Sequence, residues 1–231
     1  MRVVIAGGHG KIALLLGEIL TGLGDEVDSL IRNADHAAEV AATGARPVVF
    51  DLEHSTVAEL AAVVQGSDAV IFAAGAGAGS GVARKYTVDK GGSVLLADAA
   101  EAAGVRRFVQ ISTMGAGKPP ASSTDEVWAA YIDAKTQAED DLRARDLDWT
   151  ILRPGRLLDT AATDRVLLST PPLPFGSIAR ADVAAVLAEI LHAAQTTHTT
   201  LELVAGDTPV SHAVSDIGSQ SVAEGGAALT D

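Results

Sequence analysis

Cysteine is absent from this sequence of 231 residues, and aromatic residues make up only 3% of it. The absence of cysteine excludes disulfide bonds, thiolate catalysis and cysteine-ligated metal ions. Basic residues are also scarce, because 17 lysines and arginines face 30 acidic residues and leave a formal net charge of −13. Binding to nucleic acid or to an anionic membrane surface depends on clustered positive charge. We therefore expect no nucleic-acid partner and no membrane partner.

Motifs that would define several other functions are missing as well. No apolar run is long enough to cross a bilayer. The six histidines show no H-E-x-x-H spacing, so we expect no metal site, and there is no G-x-S-x-G element of a serine hydrolase. A P-loop is excluded because Ile12 follows Gly10 and Lys11 where a hydroxyl residue should stand. Met1 and Arg2 run directly into an apolar strand, which leaves no export signal and predicts a cytoplasmic protein.

The N-terminal residues form a glycine-rich turn between a strand and a helix. Arg2–Ala6 is a short apolar strand, and the spacing G-x-x-G-x-x-A follows it. Glycines here let the backbone approach a pyrophosphate, while the free N–H groups and dipole of the next helix attract the anion. Gly7 would make the turn, Gly10 would leave room for the phosphates and Ala13 would pack helix on strand. His9 could touch the cofactor, although a solvent-facing position in the loop is favoured for it. The candidate cofactor-binding residues of this turn are Gly7, His9, Gly10, Lys11 and Ile12.

Strands and helices alternate along the chain, a pattern typical of a parallel sheet with helices on both faces. We therefore predict an α/β fold with a single doubly wound Rossmann-type sheet. Strands are expected at 2–6, 26–31, 47–50, 68–73, 107–112, 149–153 and 201–204. Helices are expected from 11, at 34–42, at 56–64, up to about 103, from a capping box at 123–126 to about 145, and around 183–191. One domain would span 1–213, with 154–213 contributing the substrate pocket, and 214–231 would form a mobile tail.

Tyr131 and Lys135 stand four residues apart, which places both side chains on one face of a predicted helix. A free phenol titrates near pH 10 and is a poor acid–base catalyst at neutral pH. An ammonium group about 4 Å away would interact with the phenolate by roughly 4 kcal/mol at an effective dielectric constant near 20. That interaction would lower the phenol pKa and let the pair transfer a proton near neutral pH. The alternative is a core tyrosine beside a surface lysine. The pair comes after the fifth predicted strand, however, and this position favours the catalytic interpretation.

Together with the N-terminal turn, these features resemble an atypical short-chain dehydrogenase/reductase. The similarity is closest to the NAD(P)-binding, sugar-epimerase-like and NmrA-like branch, and it covers the chain to about residue 213. The motifs are specific for the superfamily and much less specific for a reaction. Besides the turn, they are Asp51-Leu52, 72–75, 111–113, 131–135, 152–155, 178–183 and 206–209.

The resemblance implies a role for each matching residue. Tyr131 would be the acid–base group, while Lys135 would bind the nicotinamide ribose hydroxyls and lower the tyrosine pKa. The family's helper hydroxyl falls at Ser112 or Thr113, and the sequence leaves both open. The implied cofactor contacts are Asp51 and Leu52 along the adenine, Ala73, Ala74 and Gly75 beside the ribose, and Pro154 and Gly155 beside the nicotinamide.

The end of the second predicted strand bears on the choice of cofactor. NAD-binding proteins usually carry an acidic residue there for the ribose diol, whereas NADP-binding proteins offer a cation to the 2′-phosphate. This chain has Arg32 at that point, and Lys11 could add to the positive field. Asp28 and Glu26 stand earlier in the strand and are poorer ribose ligands. We predict NADP as the cofactor, with NAD less favoured. A solvated strand-end charge is the alternative for Arg32.

Two classes of function remain. The first is an enzyme, either an NADP-dependent oxidoreductase or an epimerase or dehydratase with transient oxidation, acting on a small carbonyl, quinone, flavin or sugar-like substrate. The second is a non-catalytic NADP-binding redox sensor of the NmrA-like type. The intact pair of Tyr131 and Lys135 favours the enzyme, because a sensor needs no tuned phenol. Residues 75–81 and 170–174 are expected to shape the substrate pocket, and the sequence leaves open whether the protein is a monomer or a homodimer.

Overall fold

A nine-stranded sheet, parallel over most of its width, forms the centre of the protein. The computed structural model describes residues 1–77, 79–119, 125–170 and 172–217. The strands are β1 (Arg2–Ala6), β2 (Glu26–Ile31), β3 (Arg46–Val49), β4 (Ala69–Phe72), β5 (Arg107–Ile111), β6 (Asp148–Pro154), β7 (Arg156–Leu158), β8 (Arg165–Ser169), β9 (Ser177–Ala179), β10 (Thr199–Ala205) and β11 (Thr208–Pro209). The helices are α1 (Lys11–Gly22), α2 (Ala37–Ala42), α3 (Val57–Val64), α4 (Val82–Arg84), α5 (Ser93–Ala103), α6 (Glu126–Arg143), α7 (Arg180–His192) and α8 (Val210–Ser215). Single 3₁₀ turns span Ala34–His36 and Ala194–Thr196, and a π-helical segment, Lys85–Gly92, joins α4 to α5.

The strand order creates a crevice at one edge of the sheet. The order is β11-β8-β10-β6-β5-β4-β1-β2-β3, and each neighbouring pair from β10 to β3 is parallel. The chain moves outward in one direction from β1 to β3 and in the other from β4 to β6, so the order reverses between β1 and β4. Ligands of such sheets bind beyond the carboxyl ends of the strands at this reversal. The predicted doubly wound sheet is therefore confirmed.

Four short strands are not predicted by the sequence pattern. β8 pairs antiparallel with β10, and β11 pairs antiparallel with β8, so one margin of the sheet is mixed. β7 and β9 form a separate parallel pair. Three of these four strands have only two or three residues. Such short strands show no alternation of apolar and polar residues that a sequence reader could detect.

Both faces of the sheet are buried, and β1 shows how. Val3 and Ile5 pack with α1 and α7 on one face, whereas Val4 and Ala6 pack with α3 and α5 on the other. None of the four has exposed surface. Full burial of a Val or Ile side chain contributes about 1.5–3 kcal/mol. Because both faces are covered by helices, the strand is apolar at every position rather than at alternate ones.

The start of α6 fixes the orientation of the helix that carries the predicted catalytic pair. Asp125 caps it, because its Oδ1 accepts hydrogen bonds from the backbone N–H groups of Val127 at 3.0 Å and Trp128 at 3.1 Å. A cap of this kind stabilises a helix by about 1 kcal/mol. Of the capping box predicted at 123–126, residues 123 and 124 lie outside the described residues. The helix ends at Arg143, two residues earlier than expected.

The folded body extends beyond residue 213, the boundary expected from the sequence. Val214 and Ile217 are buried in the core layer that contains α7. Residues 214–217 therefore pack with the domain instead of belonging to a mobile tail. The remainder of the predicted tail, 218–231, lies outside the described residues, as do residues 78 and 171 of the two expected pocket segments. Within the described ranges, none of the helices combines the length and apolar character that a membrane crossing requires.

Asp28 lies away from the crevice, toward the opposite edge of the sheet. Its substitution measures how much a buried carboxylate contributes to the free energy of unfolding. Its buried carboxylate accepts two hydrogen bonds from Arg46 at 2.6 Å and one from Arg2 at 2.9 Å. Arg46, helped by Arg2, holds the pKa of Asp28 below its usual value of 3.8. We expect Asp28→Asn to lower the free energy of unfolding at pH 7 by about 1.5–3 kcal/mol, the contribution of a hydrogen bond to a charged group.

The pH dependence of this effect has a defined sign. A carboxylate whose pKa is lower in the folded protein stabilises the fold above its unfolded pKa, and this stabilisation disappears as the pH falls through the folded pKa. Urea unfolding at several pH values should therefore show the gap between wild type and Asp28→Asn narrowing below about pH 4. Asp146→Asn, at an exposed ion pair with Arg106, should change stability little. A gap for Asp28→Asn that stayed constant between pH 7 and pH 3 would contradict the assignment.

Candidate active site

The turn after β1 brings three backbone segments close together. Gly7 has φ +83°, a left-handed conformation that favours glycine, and a Cβ on it would lie 2.6 Å from Cα of Ala74. A Cβ on Gly10 would lie 3.2 Å from the carbonyl oxygen of Gly7. Gly8 is not among the predicted site residues, although the G-G doublet marks it. A Cβ on Gly8 would lie 2.4 Å from Cβ of Ser29. The surrounding protein atoms therefore leave no room for a side chain at Gly7 or at Gly8.

The N-terminus of α1 has the free donors that an anion needs. Gly10 occupies the N-cap without a side-chain cap, and no acidic residue stands in the first turn of the helix. Glycine backbone beside unshared helical N–H groups suits a pyrophosphate, so the residues present fit a dinucleotide. The Lys11 Nζ lies 2.5 Å from Oδ2 of Asp159, and Oδ1 of the same carboxylate accepts a hydrogen bond from Arg180 at 2.6 Å. That Lys11 adds to the positive field around the cofactor stays a prediction.

A first cleft of about 320 Å³ opens beside the turn, at the carboxyl ends of the strands. Asp51 lies on its wall, with Oδ1 accepting a hydrogen bond from the Glu53 N–H at 2.9 Å and Oδ2 lying 3.0 Å from Nδ1 of His54. The contact with His54, followed by that backbone hydrogen bond, holds the pKa of Asp51 below its usual range. The predicted residues that line this cleft are Gly7, His9, Gly10, Arg32, Asp51, Leu52, Ala73, Ala74 and Gly75.

Glu53, which the sequence predictions do not include, binds two arginine side chains on the wall of the first cleft. Its carboxylate accepts hydrogen bonds from Arg84 at 2.7 Å, Thr87 at 2.7 Å and Arg32 at 3.2 Å. Arg84 and then Thr87 hold the pKa of Glu53 below its usual range. The Arg32 side chain remains 59% exposed. Two guanidinium groups therefore share one carboxylate here, and Arg32 is the looser of the two.

His9 and His36 stack at the rim of this cleft. Their ring centroids are 3.6 Å apart and their planes differ by 14°. Nε2 of His9 also lies 3.1 Å from Oε2 of Glu39. His9 is thus partly packed and faces the cleft, the first of the two positions that the sequence allows.

A second cleft of about 770 Å³ continues from the first. Residues 73–75, which follow β4, form a strip that lines both clefts. α6, the π-helical segment and the ends of β5 and β6 enclose the second cleft. The predicted site residues on its wall, besides the strip, are Ile12, Ser112, Thr113, Tyr131, Lys135 and Gly155.

Tyr131 and Lys135 line the same cleft, as their spacing predicts. The Lys135 ammonium group is buried, and its Nζ donates a hydrogen bond to the Ile111 carbonyl at 3.1 Å. Nζ also lies 3.6 Å from Oδ1 of Asp89 and 5.9 Å from the centroid of the Tyr131 ring. The lysine therefore stands beside the tyrosine but directs its charge toward two other oxygen atoms.

The pKa of Tyr131 is raised in this structure, whereas the expectation was that Lys135 would lower it. Burial, aided by the negative charge of Asp89, raises the pKa of the phenol to about 12, although the Thr113 hydroxyl acts in the opposite direction. Burial also lowers the pKa of Lys135, against the attraction of Asp89. The sequence could not show this balance, because Asp89 reaches the site from another helix. The phenol is protonated at neutral pH and can donate a proton.

Ser112 and Thr113, which the sequence does not separate, have different surroundings. The Ser112 hydroxyl is buried and donates to Oε1 of Glu139 at 2.5 Å. Glu139 also accepts hydrogen bonds from Arg143 and Arg153, so Ser112 belongs to a buried polar network. The Thr113 hydroxyl donates to the Met114 carbonyl at 3.4 Å and acts to lower the pKa of the Tyr131 phenol. Both residues line the second cleft, so the helper hydroxyl stays a prediction with two candidates.

Asp89 is a buried carboxylate in this site that sequence analysis missed. It lies in the π-helical segment, and such wide helical turns are frequent at functional sites. Its Oδ2 accepts the Ala76 N–H at 3.0 Å, while Oδ1 faces Lys135. A Cβ on Gly75 would lie 3.1 Å from Oδ1. Asp89 thus ties the strip after β4 to Lys135. Its sequence neighbours, Val88 and Lys90, give no signal that this aspartate is buried.

Pro154 and Gly155 differ in their positions. Gly155 lines the second cleft, and a Cβ on it would lie 2.3 Å from the carbonyl oxygen of Gly176, so any side chain would push these segments apart. Pro154 is buried in β6, where its carbonyl accepts the Met114 N–H at 3.0 Å. Pro154 is absent from the walls of both clefts as far as the described residues define them. The contact of Pro154 with a nicotinamide, which the resemblance implies, stays a prediction.

The strand order, the glycine turn and the paired clefts define an NAD(P)-binding Rossmann-fold protein. The sequence profile of the NAD(P)H-binding family matches residues 7–194, and the chain belongs to that family.

Relatives and solved structures agree with this assignment. The chain is 33% identical over 215 residues to the "Uncharacterized sugar epimerase YhfK" of Bacillus subtilis (strain 168), covering 93% of this chain and 99% of the relative. A solved structure named "Putative NAD-dependent epimerase/dehydratase from Bacillus halodurans" is 33% identical, with a TM-score of 0.87 over 94% of this chain and 100% of that one. ChuY of Escherichia coli O157:H7, named an "Anaerobillin Reductase", is 28% identical, with a TM-score of 0.75 over 90% of this chain and 98% of that one. The family is oxidoreductase-like and epimerase-like, and these names support an NAD(P)-dependent enzyme.

Proposed function

We propose that the protein is an NADP-dependent reductase of the short-chain dehydrogenase/reductase type, with Tyr131 as its proton donor. The observation that carries the proposal is the continuity of the two clefts along residues 73–75. A dinucleotide lying across this strip would have its adenosine in the first cleft, its pyrophosphate at the glycine turn and its nicotinamide beside Tyr131 and Lys135. A reduced nicotinamide bound there supplies a hydride to an electron-poor carbon of the substrate.

Tyr131 supplies the proton that completes such a reduction. Its O–H bond breaks as the acceptor atom of the substrate gains a proton, and the phenolate is then reprotonated from solvent. A pKa near 12 keeps the phenol protonated and ready to donate at neutral pH. An epimerase or dehydratase that begins by oxidising its substrate needs the opposite, a phenolate able to accept a proton. This difference favours a reductase over the epimerase alternative.

Lys135 and Asp89 position the site. Lys135 would bind the ribose hydroxyls next to the nicotinamide, while Asp89 holds its ammonium group from the other side. Because the Asp89 carboxylate also binds the Ala76 N–H, it fixes the backbone strip along which the cofactor lies. Burial of both charged groups keeps water away from the phenol and strengthens the electrostatic interactions between them.

The preference for NADP over NAD is part of the proposal and is supported by Arg32. The end of β2 carries this cation where an NAD-binding protein usually has an acid, and Arg84 lies on the same wall. We expect Arg32→Ala to weaken NADP⁺ binding by roughly 10- to 150-fold, the loss of a charge-assisted hydrogen bond of about 1.5–3 kcal/mol, with little effect on NAD⁺. Titration calorimetry with both nucleotides measures the two affinities.

Two further variants sharpen this test. Glu53→Gln removes the carboxylate that competes for Arg32, so the preference for NADP⁺ should rise instead of fall. Arg106→Ala changes an exposed arginine at the opposite edge of the sheet and should leave both affinities as they are. Equal affinity of the wild type for the two nucleotides, or an unchanged preference in Arg32→Ala, would refute the role of Arg32.

A substrate screen tests the proposed reaction. Oxidation of NADPH is followed by absorbance with panels of carbonyl compounds, quinones and flavins, and we expect turnover on at least one class. Tight binding of NADP without turnover on any panel would reject the reductase and leave the redox-sensor alternative. A search for partners that bind only loaded or only empty protein would then be the next measurement.

A further inference from the structure

The few aromatic residues of this chain are concentrated at the second cleft. The sequence has only 4 Phe, 2 Trp and 2 Tyr. Three of these eight residues, Trp128, Tyr131 and Phe175, line this one cleft. Trp128 is 48% exposed and Phe175 is 70% exposed. Exposed aromatic surface gathered at one cleft marks a binding surface rather than ordinary surface composition.

The backbone that carries the two exposed rings is held by close contacts. Asp125 binds the Trp128 N–H at the start of α6, and the Trp128 ring lies 5.2 Å from the Tyr131 ring, with a tilt of 41°. Phe175 precedes Gly176, where a Cβ would lie 3.0 Å from the Val204 side chain. Both side chains therefore start from ordered backbone on the wall of the cleft.

A cation lies on the same wall as the exposed Phe175. The Arg156 N–H donates to the Gly176 carbonyl at 2.9 Å, which brings the backbone of Arg156 next to the residue that follows Phe175. The Arg156 side chain is exposed and lines the cleft. Arg180 on the same wall is paired with Asp159 at 2.6 Å, whereas no ion pair among the described residues involves Arg156. In a chain with a net charge of −13, this guanidinium group is suited to an anion brought by a ligand.

We infer that the substrate is a planar conjugated ring system with an anionic group, its rings packed against the aromatic wall that includes Trp128 and Phe175 and its anion bound by Arg156. The inference rests on the proposed reductase function and narrows its substrate class. Stacked aromatic walls bind flat π-systems of many kinds, and the single cation selects those that carry a negative charge. A volume of about 770 Å³ leaves room for such a molecule beside a nicotinamide.

Binding of matched probes to protein saturated with NADP⁺ tests the inference without turnover. FMN and riboflavin share one ring system and differ by a phosphate, anthraquinone-2-sulfonate is a second planar anion, and glucose 6-phosphate is a non-planar anion. We expect FMN to bind roughly tenfold more tightly than riboflavin, as a charge-assisted contact with Arg156 requires. Anthraquinone-2-sulfonate should bind as well, and glucose 6-phosphate should not bind.

Substitutions test the contribution of the arginine and that of the aromatic residues separately. Arg156→Gln should remove the difference between FMN and riboflavin and leave riboflavin unchanged. Trp128→Ala and Phe175→Ala should each weaken both flavins alike by roughly tenfold, the usual effect of losing a stacking partner. Leu23→Ala, at an exposed apolar residue just after α1, is the matched control. NADP⁺ affinity should be the same in every variant, which shows that each remains folded.

Defined outcomes would overturn the inference. It fails if neither planar anion binds, if glucose 6-phosphate binds in their place, or if the Trp128 and Phe175 variants bind FMN as the wild type does. Reduction of a non-planar carbonyl compound would reject the substrate class while the reductase function stands. Failure of the wild type to bind NADP⁺ would instead reject the proposed function itself.

Discussion

Tyr131→Phe is expected to lower kcat by roughly 100-fold or more on any substrate that the protein reduces, the usual contribution of a positioned acid. The change keeps the ring and its contact with Trp128 but deletes the oxygen that donates the proton. Cofactor binding does not need that proton, so the Kd for NADPH should move by less than about twofold. Steady-state kinetics and calorimetry on the same preparation measure both quantities.

A matched substitution controls for the loss of a phenol elsewhere. Tyr86 donates a hydrogen bond to Asp133 at 2.7 Å on the exposed side of the site, and Tyr86→Phe should retain wild-type turnover. Lys135→Met should lower both turnover and NADPH affinity, because the lysine is proposed to bind the ribose as well as to support the tyrosine. Wild-type turnover in Tyr131→Phe would show that another group donates the proton.

The raised pKa of Tyr131 also sets the sign of a pH dependence. A donor with a pKa of about 12 stays protonated throughout the neutral range, so its deprotonation should not reduce kcat between pH 6 and pH 9. In the oxidation direction the tyrosine has to accept a proton, so the rate should rise with pH over the same range, because only the phenolate can act as the base. A reduction rate that fell tenfold per pH unit between pH 6 and pH 9 would contradict the raised pKa of Tyr131 and restore the epimerase alternative.

Gly10→Val should abolish binding of both NADP⁺ and NAD⁺, with a loss of more than about 100-fold, while the fold survives. Gly10 has φ −63° and ψ 146°, a backbone conformation open to any residue, and its added Cβ, 3.2 Å from the Gly7 carbonyl oxygen, requires only a small local shift. Its branched side chain would stand beside the Gly7 carbonyl, where the pyrophosphate has to approach the helix N-terminus. Calorimetry gives the affinities, and circular dichroism and thermal unfolding report the fold.

Two other glycines separate binding from folding. Gly22→Ala, in α1 with no atom within 4 Å of the added Cβ, should preserve binding and stability. Gly8→Ala should destabilise the protein, because its Cβ would collide with Ser29 at 2.4 Å. Normal nucleotide affinity in a well-folded Gly10→Val protein would mean that the turn is only structural.

The parallel core could be predicted from the sequence because its signals are local. Apolar strands such as Arg2–Ala6, the amphipathic stripe of α1 and the breaks at glycine each occupy a few consecutive residues. The alternation of these elements then fixes a parallel sheet. β7, β9 and β11 could not be found in this way, since two or three residues carry no periodic pattern. β7 and β9 pair only with each other, and β11 pairs with β8, so each of them depends on a partner that is distant in the sequence.

The site was predictable where spacing along one element decides it. Tyr131 and Lys135 share a cleft because they share a helix face. The charge balance around them was not predictable, because Asp89 arrives from the π-helical segment and binds both the lysine and the strip after β4. Glu53 escaped detection for the same reason: its partners Arg32 and Arg84 come from different elements. Long-range pairs of charges leave no periodic trace in a sequence.

The two margins of the sheet limit how copies of this protein can associate. At one margin, β3 has only four residues and contains Pro47, which has no N–H to donate to a further strand. At the other margin, β11 has two residues and ends in Pro209. Short, proline-bearing edges resist the edge-to-edge pairing that leads to aggregation. As far as the described residues go, a dimer of this protein would therefore have to form through its helices or loops and not by extending the sheet from one copy to the next.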